Sequence, residues 1–247
     1  MPDALFVSEI FESVQGEGIR LGVRQVFVRL AGCNLRCRYC DTPLAMNATP
    51  AAAIVRNVGG QVTESNPVEA ARVMELVNLV SSGAPMHSVS WTGGEPLLQP
   101  EGLRRCMELA REMGLRNYLE TNGTLAKAVA RVAPLADFIA ADVKLPSASG
   151  AAFDPEAVRA FLSAAAGSGL FVKAVVSDES TPEEISAAAE VVAAVNSSTP
   201  MVIQPVTCAG GVKPPGAEGL LGLQAAALVH LDDVRVIAQM HKKLGLL

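Results

Sequence analysis

Three cysteines within eight residues constrain this chain more than any other feature of its sequence. Cys33, Cys37 and Cys40 are spaced C-x3-C-x2-C, in a loop that directly follows the apolar segment 25–30. Apolar and β-branched residues at this length are typical of a buried strand. Three thiolates can hold three corners of a cubane iron–sulfur cluster, whereas a complete four-iron site takes four cysteines. The spacing therefore favours a cluster with one iron free to bind another ligand.

Two other interpretations of these cysteines stay open from their spacing. Zinc sites use cysteines and histidines in recognisable pairs, and chance can also place thiols together. Cys106 and Cys208 stand apart from the cluster loop, and the histidines are scattered, so no second pair is visible. Cys106 lies in an amphipathic segment, where we expect it to pack in the core. Cys208 suggests no role.

Composition limits the class of protein. The chain has 247 residues, half of them hydrophobic and 18% charged, which suits one domain over 1–247. A net charge of −5 argues against a nucleic-acid-binding surface. The first residues lack a basic signal-peptide region, and no uninterrupted apolar span suggests a membrane helix. Clustered cysteines in such a chain predict a reducing, cytoplasmic location.

Strand and helix patterns alternate along the chain. After a short lead-in strand at 6–11, strands are predicted at 26–30, 88–91, 117–120, 138–141, 171–176, 201–203 and 234–237. Helices are predicted at 66–82, 100–113, 155–166, 182–195 and 218–229, with a weaker one ending near 132, and a long excursion at 43–66. Such alternation predicts an α/β fold with a parallel sheet. We expect a partial, open TIM-like (β/α) barrel of about six βα units, and an open doubly wound sheet is the alternative.

Polar or glycine-containing segments follow several predicted strands, at the edge where parallel sheets bind ligands. They include 13–18, 93–96 and 142–144, each of which could also be an ordinary turn. Arg29 lies within an otherwise apolar strand. A buried guanidinium needs an anionic partner, so Arg29 is either ion-paired inside the protein or directed at a ligand carboxylate.

Taken together, these motifs resemble the 7-carboxy-7-deazaguanine synthase family of the radical S-adenosylmethionine (SAM) superfamily. The superfamily signature is C-x3-C-x2-C with an aromatic residue, here Tyr39, before the third cysteine. Segments 43–66 and 208–220 match no pattern of the family. The segments that match it are 13–18, 27–35, 40–42, 91–96, 120–124, 142–144 and 239–242.

The resemblance implies a set of site residues. Three cysteines would hold a 4Fe-4S cluster, Thr42 would bind Mg²⁺, and no catalytic side chain is implied beyond the cofactor and cluster ligands. The residues implied to bind SAM are Tyr39, Gly94, Glu95, Asp142, Val143, Lys144, Ser177 and Gln204. The residues implied to bind the substrate are Val14, Gln15, Gly16, Glu17, Arg29, Thr92, Glu120 and His241.

The resemblance also implies the reaction, a ring contraction of 6-carboxy-5,6,7,8-tetrahydropterin to 7-carboxy-7-deazaguanine with loss of ammonia, for queuosine and other 7-deazapurines. An adenosyl radical would take the hydrogen at C6 and later return it, regenerating SAM. A flavodoxin or ferredoxin would supply electrons, and the family favours a homodimer. Two alternatives remain: an enzyme that makes a glycyl radical on a partner protein, and a non-catalytic iron–sulfur electron carrier.

Overall fold

The computed structural model describes residues 3–57, 59–167, 169–207 and 210–246. Cys208 lies outside these residues. The strands are β1 (Ala4–Leu5), β2 (Val7–Val14), β3 (Arg24–Leu30), β4 (Ala52–Asn57), β5 (Gly60–Ser65), β6 (Val68–Glu69), β7 (Ser88–Gly93), β8 (Asn117–Thr121), β9 (Phe138–Asp142), β10 (Gly169–Val176), β11 (Met201–Pro205) and β12 (Val234–Val236). The helices are α1 (Ala70–Ser81), α2 (Pro100–Glu112), α3 (Ala126–Val132), α4 (Pro146–Ser149), α5 (Pro155–Ala165), α6 (Pro182–Asn196), α7 (Ala217–Leu228) and α8 (Met240–Leu244).

The main sheet has ten strands in the order β12-β11-β10-β9-β8-β7-β3-β2-β4-β5. From β3 to β12, seven strands pair in parallel, and each lies beside the next parallel strand along the chain. A doubly wound sheet would instead reverse its strand order at a switch point. The consecutive order is that of a (β/α) barrel wall, and no described strand pairs β12 with the opposite edge. The predicted α/β fold is confirmed.

The excursion at 43–66 contains more structure than its sequence predicted. A 3₁₀ turn at Pro43–Met46 is followed by the β4–β5 hairpin. β4 pairs in parallel with β2, which itself lies antiparallel to β3, so the hairpin extends the sheet beyond the strand that carries Arg29. The prediction of a long loop was wrong because the apolar run of β4 is short, although Ala53 and Val55 are buried in the core, and β5 is almost entirely exposed.

Helix ends follow the capping chemistry of the sequence. At the start of α6, Thr181 is the N-cap residue, since its Oγ1 accepts a hydrogen bond from the Glu184 amide at 3.3 Å. The helix predicted from residue 66 begins later, at Ala70, because Val68 and Glu69 instead pair with β1.

None of the described helices combines the length and hydropathy needed to cross a membrane.

Successive side chains on the parallel strands point to opposite faces, and the two faces differ in chemistry. On β3, Val26, Val28 and Leu30 belong to the main core, packed with residues of the surrounding helices. The inner face has a smaller apolar cluster in its lower part, formed by Tyr118, Phe138, Ala140, Phe171 and Val202. Above that cluster the inner face is polar. The aromatic residues of the cluster therefore form the bottom of a polar cavity that could hold a ligand.

Asn117, at the start of β8, connects three parts of the core by hydrogen bonds. Its Oδ1 accepts a hydrogen bond from Trp91 Nε1 at 2.8 Å, and its Nδ2 donates to the Met107 and Leu135 carbonyls at 2.9 and 3.0 Å. Asn117 is fully buried, so water cannot replace these bonds.

We predict that Asn117→Ala lowers the free energy of unfolding by about 3 kcal/mol, because it removes three hydrogen bonds of a fully buried side chain. Urea denaturation followed by circular dichroism measures the change. Asn78→Ala, at an exposed position of α1, is the control and should shift stability by no more than about 0.5 kcal/mol. Equal midpoints for the two variants would contradict this role of Asn117.

Candidate active site

A cavity of about 490 Å³ opens at the carboxyl ends of the parallel strands. Three groups of predicted residues share its wall: the cluster cysteines, most of the cofactor-binding residues and all of the substrate-binding residues. Those lining it are Val14, Gln15, Gly16, Glu17, Arg29, Cys33, Cys37, Tyr39, Cys40, Thr42, Thr92, Gly94, Glu120, Asp142, Lys144, Gln204 and His241. The fold therefore gathers segments that are more than 200 residues apart into one space.

Three predicted cofactor-binding residues do not line this cavity. Glu95 and Ser177 are completely buried, and Val143 packs in the main core. Glu95 accepts hydrogen bonds from Thr121 Oγ1 at 2.9 Å and from the Asn122 amide at 2.7 Å. Its side chain therefore joins the loop after β7 to the loop after β8, and burial raises its pKa to about 7 against these donors.

The cluster loop leaves β3 through Gly32 and keeps its cysteines inward. Asn34, Arg36 and Arg38 are exposed, whereas the three cysteines between and around them are partly buried and line the cavity. The loop is held from outside, since Arg36 donates to the Cys33 carbonyl at 2.8 Å and the Arg38 amide donates to the Ser149 carbonyl at 3.0 Å.

The three cysteines line the same cavity, and their charges interact. Burial raises the pKa of the Cys37 thiol, Lys144 lowers it, and the nearby Cys33 and Cys40 raise it further. Such mutual repulsion is relieved when thiolates bind a positively charged metal centre. The described residues contain no group of three or more histidine, cysteine and acidic side chains arranged around a single ion. Three thiolates that line one cavity are a donor set suited to an iron–sulfur cluster, whose ligands each bind a different iron.

Glu120 is the centre of a hydrogen-bond network on the substrate side of the cavity. Its Oε1 accepts from Gln15 Nε2 at 2.8 Å and from Ser90 Oγ at 3.0 Å, and its Oε2 accepts from Thr92 Oγ1 at 3.3 Å. Gln15 also contacts Gln25 at 3.1 Å. These contacts fix the predicted substrate-binding side chains before any ligand enters.

A chain of alternating charges crosses the cavity from the substrate side to the cluster side. Glu17 contacts Lys173, whose Nζ lies 3.7 Å from Asp142 Oδ2. Asp142 Oδ2 in turn lies 2.8 Å from Lys144 Nζ, which donates to the Tyr39 hydroxyl at 3.1 Å. Burial alone would raise the pKa of Glu17, but its bonds with Lys173 and Gln239 outweigh this and hold the pKa below its ordinary value. Glu17 is therefore an anion.

Sequence reasoning missed Lys173, although a signal for it was present. It is the one charged residue of the otherwise apolar strand β10, as Arg29 is within the buried part of β3. Asp41, Gln239 and Lys242 also line the cavity without having been assigned to the site. Lys242 Nζ lies 3.1 Å from Asp41 Oδ2, so the carboxyl-terminal segment contacts the cluster loop.

Arg29 has the buried ion-pair partner expected of it, and its role toward a ligand carboxylate stays a prediction. Its Nε lies 3.2 Å from Glu9 Oε2, and its side chain still lines the cavity. His241, which could have been a solvent-exposed tail residue, instead contacts Gly16 closely, and the neighbouring Met240 amide donates to the Gly16 carbonyl at 2.9 Å. Thr42 Oγ1 donates to Asp41 Oδ1 at 3.0 Å, which leaves its oxygen lone pairs available.

Two buried oxygen atoms of cavity-lining residues have no hydrogen-bond partner among the residues that the structure describes. They are Asp142 Oδ1 and Gln204 Oε1, on residues 9% and 2% exposed. A buried acceptor without a partner is costly, and a ligand that brings hydroxyl or amino donors would satisfy both. This need fits the ribose and amino groups of SAM.

Comparison with known proteins identifies the family. Residues 27–203 match the model of the radical SAM superfamily. A 7-carboxy-7-deazaguanine synthase from Geobacter sulfurreducens is 43% identical over 97% of this chain and 96% of its own length. One from Methanopyrus kandleri is 38% identical over 96% of this chain and 92% of its own length. The chain belongs to the 7-carboxy-7-deazaguanine synthase family of radical SAM enzymes.

Solved structures agree with this family in fold. QueE from Escherichia coli aligns over 96% of this chain and 94% of its own, with a TM-score of 0.60 and 19% identity. A radical SAM methyltransferase from Sphaerobacter thermophilus aligns over 94% of this chain and 77% of its own, with a TM-score of 0.61 and 13% identity. The fold and family predicted from the motifs are confirmed.

In this family member, we predict that Gly94→Ala disturbs the cluster loop. An added Cβ would lie 2.1 Å from the Gly32 carbonyl oxygen. That oxygen is fixed by its hydrogen bond from the Glu95 amide. The loop must shift, so iron bound per chain after anaerobic reconstitution should fall several-fold. Gly222→Ala on α7, where nothing lies within 4 Å, is the control and should bind iron normally. Normal iron binding by both variants would contradict the prediction.

Proposed function

We propose that this chain converts 6-carboxy-5,6,7,8-tetrahydropterin to 7-carboxy-7-deazaguanine, with loss of ammonia, in 7-deazapurine biosynthesis such as that of queuosine. The observation that carries the proposal is the shared cavity, which has three cysteines on one side and a charged, hydrogen-bonded network suited to a pterin on the other. The family relationship supports the same reaction.

In this proposal the cofactor side is built on the cluster loop and the later strands. Cys33, Cys37 and Cys40 would hold the 4Fe-4S cluster, and the open acceptors on Asp142 and Gln204 would receive donors of SAM. When bound, cluster and SAM supply the radical that removes hydrogen from C6 of the substrate. The protein's part is to exclude water and to fix the distance between cofactor and substrate.

On the substrate side, charged side chains would set the orientation of the bound pterin. Arg29 is the cation suited to the substrate carboxylate, and Glu17 and Glu120 are acceptors suited to the N–H groups of the aminopyrimidinone ring. Mg²⁺ prefers oxygen ligands and keeps several waters. Thr42, whose hydroxyl hydrogen is directed at Asp41, is placed to offer its oxygen to Mg²⁺ next to that carboxylate.

The remaining predictions follow from this activity. The reaction needs a low-potential reductant such as flavodoxin or ferredoxin, in a reducing compartment such as the cytoplasm, and the family favours a homodimer. An electron carrier has no use for a cavity of about 490 Å³. A glycyl-radical-activating enzyme would share the cluster loop but has no use for the network around Glu120.

The decisive experiment is anaerobic reconstitution with iron and sulfide, followed by addition of reductant, SAM, Mg²⁺ and the carboxypterin, with product followed by mass. Formation of 7-carboxy-7-deazaguanine establishes the function. A reconstituted protein that cleaves SAM but leaves the pterin unchanged refutes the proposed substrate while keeping the superfamily chemistry. A protein that binds no cluster refutes both.

We predict that Arg29→Ala nearly abolishes turnover while iron content stays normal, because the substrate carboxylate loses its buried cationic partner. Losing such a pair costs about 3 kcal/mol, which is roughly a hundredfold in kcat/KM. Arg56→Ala is a matched control, since Arg56 also pairs with Glu9, at 3.6 Å, but does not line the cavity. Wild-type kcat/KM in Arg29→Ala would show that the carboxylate binds elsewhere.

A further inference from the structure

Lys173 lies between the two sides of the cavity. It projects from the inner face of β10, with its side chain 15% exposed, and its ammonium contacts Glu17 on one side. On the other side it lies 3.7 Å from Asp142 Oδ2. Glu17 belongs to the loop after β2, which the proposed function assigns to the pterin, whereas Asp142 ends β9 and is assigned to SAM.

Each of these carboxylates also has a partner of its own. Gln239 Nε2 donates to Glu17 Oε1 at 2.6 Å, and Lys144 Nζ donates to Asp142 Oδ2 at 2.8 Å. Gln239 is neutral, and within the described residues the ion pair of Lys144 is with Asp142. Within the described residues, Lys173 is the one side chain that forms ion pairs with both carboxylates. The two ligand sites therefore share a single cation.

The burial of this group makes the shared contact energetically important. Lys173 is enclosed by the cavity wall, and its paired carboxylates raise the pKa of its ammonium despite the opposing effect of burial. Glu120 also acts on this ammonium from further away, but only Glu17 and Asp142 form ion pairs with it. A buried ammonium paired with two carboxylates is held in position, because moving away leaves charges unpaired. The apolar neighbours on the same inner face, Phe171 below and Val175 above, offer it no alternative partner.

We propose that Lys173 is a positioning residue that holds Glu17 and Asp142 at a fixed separation, and so aligns the pterin with the cofactor. The inference rests on the proposed function. With the alignment intact, hydrogen removed from the substrate is returned after rearrangement and little 5′-deoxyadenosine is released. Without it, the pterin binds weakly and out of place, and cofactor cleavage proceeds without product.

The test compares wild type, Lys173→Met, Lys173→Arg and the control Lys127→Met, which changes an exposed lysine on α3. After anaerobic reconstitution, iron per chain is measured first. Calorimetry then gives the dissociation constant for the carboxypterin, and turnover gives the ratio of 5′-deoxyadenosine to 7-carboxy-7-deazaguanine. The dissociation constant does not depend on catalysis, so binding and coupling are measured independently.

We expect Lys173→Met to bind wild-type iron, to bind the pterin roughly tenfold more weakly and to release more 5′-deoxyadenosine per product. Lys173→Arg keeps the charge, so its dissociation constant for the pterin and its ratio of 5′-deoxyadenosine to product should both lie close to those of wild type. Lys127→Met should match wild type in both. A wild-type dissociation constant and ratio in Lys173→Met overturn the inference. Absence of product from wild type overturns the proposed function instead, so the two failures are distinct.

If Lys173→Met does not fold or does not bind iron, the double variant Glu17→Gln/Lys173→Met is used in its place, because it removes both charges of the pair together. Its product ratio is compared with that of Glu17→Gln. The inference predicts more 5′-deoxyadenosine per product from the double variant, because Asp142 keeps Lys144 but also loses its contact with Lys173. Equal ratios in the two variants overturn it.

Discussion

The close approach of Gly32 and Gly94 holds the two halves of the site together. The Gly94 amide donates to the Leu30 carbonyl at 3.1 Å, and the Glu95 amide donates to the Gly32 carbonyl at 2.8 Å. These bonds continue the β3–β7 pairing beyond the end of the strands. They require glycine at positions 93 and 94, where an added Cβ would lie 2.2 Å from the Leu30 carbonyl oxygen and 2.1 Å from the Gly32 carbonyl oxygen. The cluster loop therefore begins from a position set by the sheet rather than from a free loop end.

Below this junction, the inner face of the sheet must carry charge within a largely apolar barrel. It does so by pairing each buried anion with a cation or with several donors: Glu17 with Lys173, Asp142 with Lys144, and Glu120 with amide and hydroxyl groups. Unpaired buried charge would cost more than the fold could supply. The residues suited to the ligands are thus also the ones whose pairing keeps the barrel interior stable.

Much of this arrangement was predictable from sequence because parallel strands end at one edge. Placing the cysteines, Gly94 and Asp142 after separate strands was enough to bring them to one cavity. Lys173 was missed because its partners, Glu17 and Asp142, come from distant segments, and sequence gives no register between strands. The β4–β5 hairpin was missed because an exposed edge hairpin needs little apolar periodicity, and its pairing with β2 is a tertiary effect.

The contacts of the carboxyl-terminal segment have a consequence for how the site is made in the cell. Gln239 bonds to Glu17 across 222 positions, and Lys242 reaches Asp41 across nearly as many. The ribosome therefore releases the cysteine loop long before the segment that covers its cavity has been synthesised. The complete rim of the cavity therefore exists only after translation has passed residue 242.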